Sequence, residues 1–199
     1  MDAQSVHVLT ADVLGVQVPD TRPVFLAVLA VHVTAGLAAV IAGLLAALAA
    51  KRVGRHPRAG RSYLCALGVV AGTAAVLAVL RWPHDVHLLA LGVISFAGGL
   101  GGYTVRRWRR PGWARWHILG MGGSYVVLLT AFYVDNGPQL PLWQLLPTWT
   151  LWVLPAAIGT PVLAATLRRY GTRGGFTPAR PGLRDNAVPR SPPADTETR

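Results

Sequence analysis

The sequence predicts an all-α fold: a polytopic membrane bundle of five transmembrane helices, N-terminus outside and C-terminus inside. Three observations lead there. Only 14% of the 199 residues are charged while 52% are hydrophobic, against about 25% charged in an ordinary soluble domain. Uncharged stretches cover 24–50, 62–80, 88–105, 116–134 and 143–167, each near or above the roughly 18 residues that mark a membrane-spanning helix. Basic residues are confined to alternate connections. Lys51, Arg52, Arg55, Arg58 and Arg61 lie between the first two runs, and Arg106, Arg107, Arg109, Arg110 and Arg115 between the third and fourth. Seven more arginines follow the fifth run, from Arg168 to Arg199.

The other connections hold only Arg22 and Arg81, beside Asp2, Asp12, Asp20, Asp85 and Asp135. Lys and Arg are retained on the cytoplasmic side during insertion, so the alternation sets the orientation. The same placement explains the net charge of +11 without nucleic acid. Anionic lipid head groups at the inner leaflet are the expected partners. A soluble enzyme, a disordered chain and a free nucleic-acid binder are excluded. Eighteen arginines to one lysine suggest a high-GC bacterial genome, hence a multi-pass protein of the plasma membrane.

Residues 1–22 read as an extracytoplasmic tail. They carry three aspartates and no early basic patch, unlike a cleavable signal peptide. The transmembrane domain covers 23–168. Helix 1 spans about Val24 to Ala50, with Pro23 suited to its first position. Helix 2 runs from about Ser62 to Leu80 and stops at Arg81-Trp82-Pro83. Helix 3 takes Val86 to Val105. Helix 4 follows Pro111-Gly112 and runs from Trp113 to Val134, before the turn signal Asp135-Asn136-Gly137-Pro138. Helix 5 takes Thr148 to Leu167, with Pro155 and Pro161 inside it, which lipid-embedded helices tolerate. Residues 169–199, rich in Gly, Pro, Arg, Ser and Thr, read as a disordered cytoplasmic tail.

Small residues punctuate the middle helices: Gly68 and Gly72, then Gly98, Gly99, Gly101 and Gly102, then Gly120, Gly122, Gly123 and Ser124. Such residues let helix backbones approach closely in lipid, within the bundle or across a dimer. The lone Cys65 falls inside the second run and is expected to be a small buried residue. Trp82, Trp108, Trp113, Trp116 and Trp143 mark the two interfaces.

The chemistry-bearing residues form three groups. His32 is the only histidine well inside the bilayer, about 12 Å below the outer end of helix 1. An ionisable group at that depth is a functional candidate, or else a neutral imidazole bonded to a neighbour, and depth counting offers Thr73 and Ser95. His56, in a loop before helix 2, and His117, in the first turns of helix 4, meet at the inner face with Arg61 and Arg115 nearby. Such a cluster suits an anionic head group, a quinone or a haem propionate. His84, Asp85 and His87, with Asp135, form an outer polar cluster, in which Asp135 pairs with Arg81 or sits near the histidines. His-x-x-His beside a carboxylate is a weak metal signal, and no metal site is assigned. No acid lies at a helix centre, and neither a catalytic triad nor a phosphate-binding loop is visible, so no catalytic residue is named.

A His early in helix 1, then His-x-x-x-Gly-Arg-x-Tyr before helix 2, then Trp-His near the start of helix 4, is a combined pattern. Here it is His32, then His56, Gly60, Arg61 and Tyr63, then Trp116 and His117. It resembles the bacterial predicted membrane-protein family catalogued as domain of unknown function 2306, over about residues 24–165. Helix 4 departs from that family's His-Arg-x-Trp-Met form, since Ile118 follows His117. The resemblance implies architecture and no activity.

Two functions are thus expected from different classes. One is a non-enzymatic membrane protein with a polar or ligand site around helix 1 and the inner basic loops. The other is a haem- or quinone-linked electron carrier, which needs two histidines facing each other from different helices. A loop position for His56 counts against the second.

Overall fold

The computed structural model describes residues 11–13, 16–18, 20–50, 54–109 and 111–171. It contains α1 (Pro23–Leu48), α2 (Arg55–Leu80), α3 (Val86–Trp108), α4 (Trp113–Asn136) and α5 (Thr148–Tyr170). Each is long and apolar enough to cross a membrane. The segment before α1, expected to be a tail, also holds a short hairpin. In it β1 (Ala11–Val13) pairs antiparallel with β2 (Val16–Val18), Asp12 opposite Gln17. Of the expected C-terminal tail, 169–170 continue α5, and residues from 172 onward lie outside the description, as do His7, Lys51, Arg52 and Arg110.

The largest correction concerns α2, which begins at Arg55 rather than Ser62. The reason is local. Pro57 is the third helical residue, where a backbone N–H has no intrahelical partner to lose. Gly54 ahead of it has φ +115°, a conformation open to glycine. Thus His56 is on a helix, not in a loop. The chain turns between α3 and α4 through Arg109 and Gly112, both left-handed. At 26 residues α1 measures about 39 Å, beyond the roughly 30 Å hydrocarbon core, which favours tilt.

The helices are sequential antiparallel neighbours. α1 lies chiefly on α2, α3 on α4, and α5 on α4, while α2 joins the two hairpins by packing on α3. The core comprises Ala39, Ala42, Tyr63, Leu67, Val70 and Leu128, flanked by Phe96, Met121 and Tyr125. A second cluster, Phe25 and Leu77 with Val28, Leu29 and Leu80, joins α1 to α2 at the end where α1 begins and α2 finishes.

Glycine sets the closest approach. A Cβ on Gly102 would lie 2.7 Å from the Met121 nitrogen, and one on Gly120 would lie 2.6 Å from the Gly102 Cα. α3 and α4 therefore meet backbone to backbone, as small residues permit in lipid. Gly98 and Gly99 also face α4 or α2, whereas Gly72, Gly101 and Gly123 face open space. Cys65 is exposed, contrary to expectation. It sits two residues beyond the buried Tyr63, on the other side of the helix.

The outer surface is apolar. Leu48 is 76% exposed, Val79 72% and Ile158 61%, with Val33, Leu37 and Val162 similarly open. Water does not tolerate so continuous a hydrophobic exterior. Together with the five spans, it fits a multi-pass membrane protein.

Candidate functional site

The arginine-bearing ends of α2, α3, α4 and α5 define a basic end. His56 and His117 stand there, on the first turn of α2 and the second turn of α4. Nδ1 of His56 lies 2.8 Å from the Ala46 carbonyl oxygen at the end of α1. Nδ1 of His117 lies 3.0 Å from the Gly102 carbonyl oxygen on α3. A carbonyl only accepts, so Nδ1 carries the proton in both rings and donates. In the neutral imidazole, Nε2 is then the basic nitrogen. The two ring centres are 6.2 Å apart with planes at 86°.

That is the spacing and angle of an edge-to-face ring contact. A histidine that ligates a metal commonly donates its other N–H to a carbonyl, which fixes tautomer and ring orientation. Trp113 lies 6.3 Å from the His117 ring. Arg61 and Arg115 are exposed at the same end. The structure brings His56 and His117 together as the sequence suggested, with His56 on a helix rather than in a loop and Trp113 beside His117.

Deeper in the bundle lies a hydroxyl network that the sequence pattern did not single out. Ser124 Oγ donates to the Met121 carbonyl at 2.8 Å, so the Tyr63 hydroxyl donates to Ser124 Oγ, also at 2.8 Å. Ser95 donates to the Ser124 carbonyl at 2.8 Å, and Tyr125 to the Val40 carbonyl at 3.1 Å. A signal was available. Tyr63 and Ser124 each follow a histidine of the pair by seven residues, two helical turns on the same face.

His32 is half-buried, and its Nδ1 lies 2.8 Å from Thr73 Oγ1. Thr73 commits its own proton to the Val69 and Val70 carbonyls, at 2.8 and 3.1 Å. It therefore accepts from His32, and Nε2 is again the basic nitrogen. Thr73 is the partner that depth counting predicts. Ser95, the other, turns to α4 instead.

At the far end the expected cluster assembles only in part. Arg81 gives two bonds from Nη1 to Asp85, at 2.8 and 3.0 Å, so it is Asp85 and not Asp135 that pairs with Arg81. Asp135 accepts a long 3.5 Å bond from Asn136 and lies within electrostatic reach of Asp85, Arg81 and His87. His84 is exposed, and the His87 ring lies 6.1 Å from Trp152. No group of three or more His, Cys, Asp or Glu able to hold a metal ion occurs among the described residues. Just before α1, Arg22 bonds Asp20 through both Nε and its backbone N–H, at 2.8 and 2.9 Å. It also reaches the Leu80 carbonyl at 3.2 Å. The Arg22 side-chain bond, then its backbone bond, hold the Asp20 carboxyl below its usual value.

Comparison with family models, curated proteins and solved structures finds no match to this chain. The functional reading therefore rests on the geometry of these groups.

Proposed function

We propose that this chain is a multi-pass protein of a bacterial plasma membrane, N-terminus outside, that binds haem b between His56 and His117 and carries electrons at its cytoplasmic end. The observation that carries this reading is the histidine pair itself. Two helical imidazoles, each tied through Nδ1 to a carbonyl of the preceding helix, stand 6.2 Å apart. Axial histidines are among the levers by which a protein holds haem iron. Arg61, exposed at the same end, would be the candidate to meet a propionate, whereas Arg115 lies toward Gly171 on the other side of α4; Gly60, one turn above His56, has only the tip of the flexible Met121 near it, at 3.9 Å. We also place the chain with the family that its His32, His56–Tyr63 and Trp116-His117 pattern resembles. Anionic head groups of the inner leaflet would gather around the remaining arginines.

The orientation follows from retention of basic loops in the cytoplasm. The test is the visible spectrum of protein purified in mild detergent from cells supplied with haem. A reducible Soret band is expected in the wild type, and His56→Ala and His117→Ala should each remove most of it. A colourless wild type, or bands unchanged in both variants, would overturn the haem reading and return the pair to helix-end bonding alone.

A further inference from the structure

Arg115 takes no part in the haem reading, because its stem runs against the end of α5. A Cβ added to the buried Gly171 would lie 3.3 Å from the Arg115 Cγ and 2.5 Å from the Leu167 carbonyl oxygen. Deeper along this α4–α5 seam, Gly122 faces Leu163 and Val126 faces Gly159. The two helices are antiparallel, so viewed from the basic end they turn in opposite senses. The residue that follows a seam position therefore falls on the same flank of the seam in both helices. After Arg115 that residue is Trp116, 63% exposed. After Leu167 it is Arg168, also exposed. Leu119 and Gly123 continue the Trp116 flank at helical spacing. Leu119 is 43% exposed, and a Cβ on Gly123 would meet nothing within 4 Å. An open apolar track thus runs along α4 away from two arginines, one on each helix. The described residues supply them no counter-ion. Their ion pairs are Arg22–Asp20 and Arg81–Asp85, and the described aspartates all precede α1 or lie at the far end of the bundle.

We propose that this flank of the α4–α5 seam is a discrete site for one anionic phospholipid, its phosphate held between Arg115 and Arg168 and an acyl chain laid along Leu119 and Gly123. Three observations select that occupant. Guanidinium groups from two helices, with no carboxylate beside them among the described residues, call for an anion rich in acceptor oxygens, and arginine pairs its N–H donors with phosphate. Trp116 stands where the charge meets the apolar track, the level at which tryptophan sits among lipid head groups. The track then follows a helix long and apolar enough to cross a membrane, so the anion that fits carries a hydrocarbon tail. Basic pockets between such helices on the cytoplasmic side hold anionic head groups. The proposal rests on the membrane placement of the helices and not on the haem reading. It narrows the attraction of the basic end for the inner leaflet to one lipid at one seam.

The test is native mass spectrometry of the full chain in mild detergent, titrated with dioleoylphosphatidylglycerol, dioleoylphosphatidylcholine or inorganic phosphate. The two lipids share their chains and differ in head-group charge. Phosphatidylglycerol should bind about tenfold more tightly than phosphatidylcholine, the worth of one charge-assisted hydrogen bond, and inorganic phosphate should not displace it. Arg115→Gln and Arg168→Gln should each lose about tenfold in affinity. Gly123→Phe, which fills the track without changing charge, should lose a similar factor. Arg58→Gln, which removes one charge from α2 at the same end, should bind like the wild type. Equal affinity for the two lipids, or equal losses in Arg58→Gln and Arg168→Gln, would overturn the proposal in favour of diffuse attraction. Displacement by inorganic phosphate, or wild-type binding by Gly123→Phe, would overturn it in favour of a site for the bare anion. Arg168 and Gly123 face open space, so their variants decide the matter even where Arg115→Gln fails to fold. Haem content is read from the spectrum and lipid from the mass, so the two readings fail separately.

Discussion

His56 and Ala46, His117 and Gly102 share one device: a ring nitrogen on the incoming helix satisfies a carbonyl near the end of the outgoing one. Ala46 lies in the last turn of α1, where carbonyls rely on partners outside the helix, whereas Gly102 lies six residues before the end of α3, where the histidine adds a second bond to a carbonyl that has two lone pairs. The residue types and their end of the bundle were legible in the sequence, because arginine placement sets depth. The ring geometry was not, because it depends on where α2 starts. The Tyr63–Ser124 bond makes a separate prediction. Tyr63→Phe should destabilise the bundle by about 0.6–1 kcal/mol, the usual worth of such a bond in a membrane protein, read as a lower unfolding midpoint in denaturing detergent. Asp20 makes a prediction in pH. Its carboxyl is held below the usual value by Arg22, so its stabilising effect is present above about pH 4. The effect fades as pH falls through the lower folded value, and it is small because the pair is exposed. In Asp20→Asn, the thermal midpoint should therefore lie slightly below that of the wild type near neutrality, and the two should converge as pH falls.

At the scale of the element, helix existence was legible and helix ends were not. Five uncharged runs announce five helices, since hydrocarbon thickness sets a minimum length. Charge marks only where the apolar part stops, so α2 and α3 run on into arginine-rich turns that hydropathy assigns to loops. The first turn of α2 includes Pro57, a residue that reads as a breaker yet is harmless at that position. Glycine function also needed coordinates. Gly101 and Gly102 are neighbours in sequence, but only Gly102 meets the backbone of α4. Gly102→Leu should accordingly cost about 1–3 kcal/mol by overpacking and separate α3 from α4. Gly101→Leu should leave the unfolding midpoint in detergent nearly unchanged. A similar loss in both would mean that the α3–α4 contact is not the tight one.

For the whole molecule, the alternation of basic and basic-poor connections organises everything else. It predicts an odd number of crossings, and His56 and His117 lie together at the basic end. It leaves His84, Asp85, His87 and Asp135 at the other. Reporter fusions test the orientation. Green fluorescent protein joined after α5 should fluoresce, and alkaline phosphatase inserted at the loop between α4 and α5 should be active, with the reverse pattern excluding the N-out arrangement. The pairing of α1 with α2 and of α3 with α4 leaves the histidine pair across the two hairpins, bridging units that are otherwise joined mainly by α2 on α3. The central proposal is that His56 and His117 would hold haem b at this bridge, where the group would supply one-electron chemistry. Low-temperature electron paramagnetic resonance of the oxidised, purified protein tests it most directly. A low-spin ferric haem signal in the wild type, and its disappearance in both His56→Ala and His117→Ala, is the predicted result. Absence of any haem signal after expression with haem available, or a signal that survives both substitutions, would contradict the account.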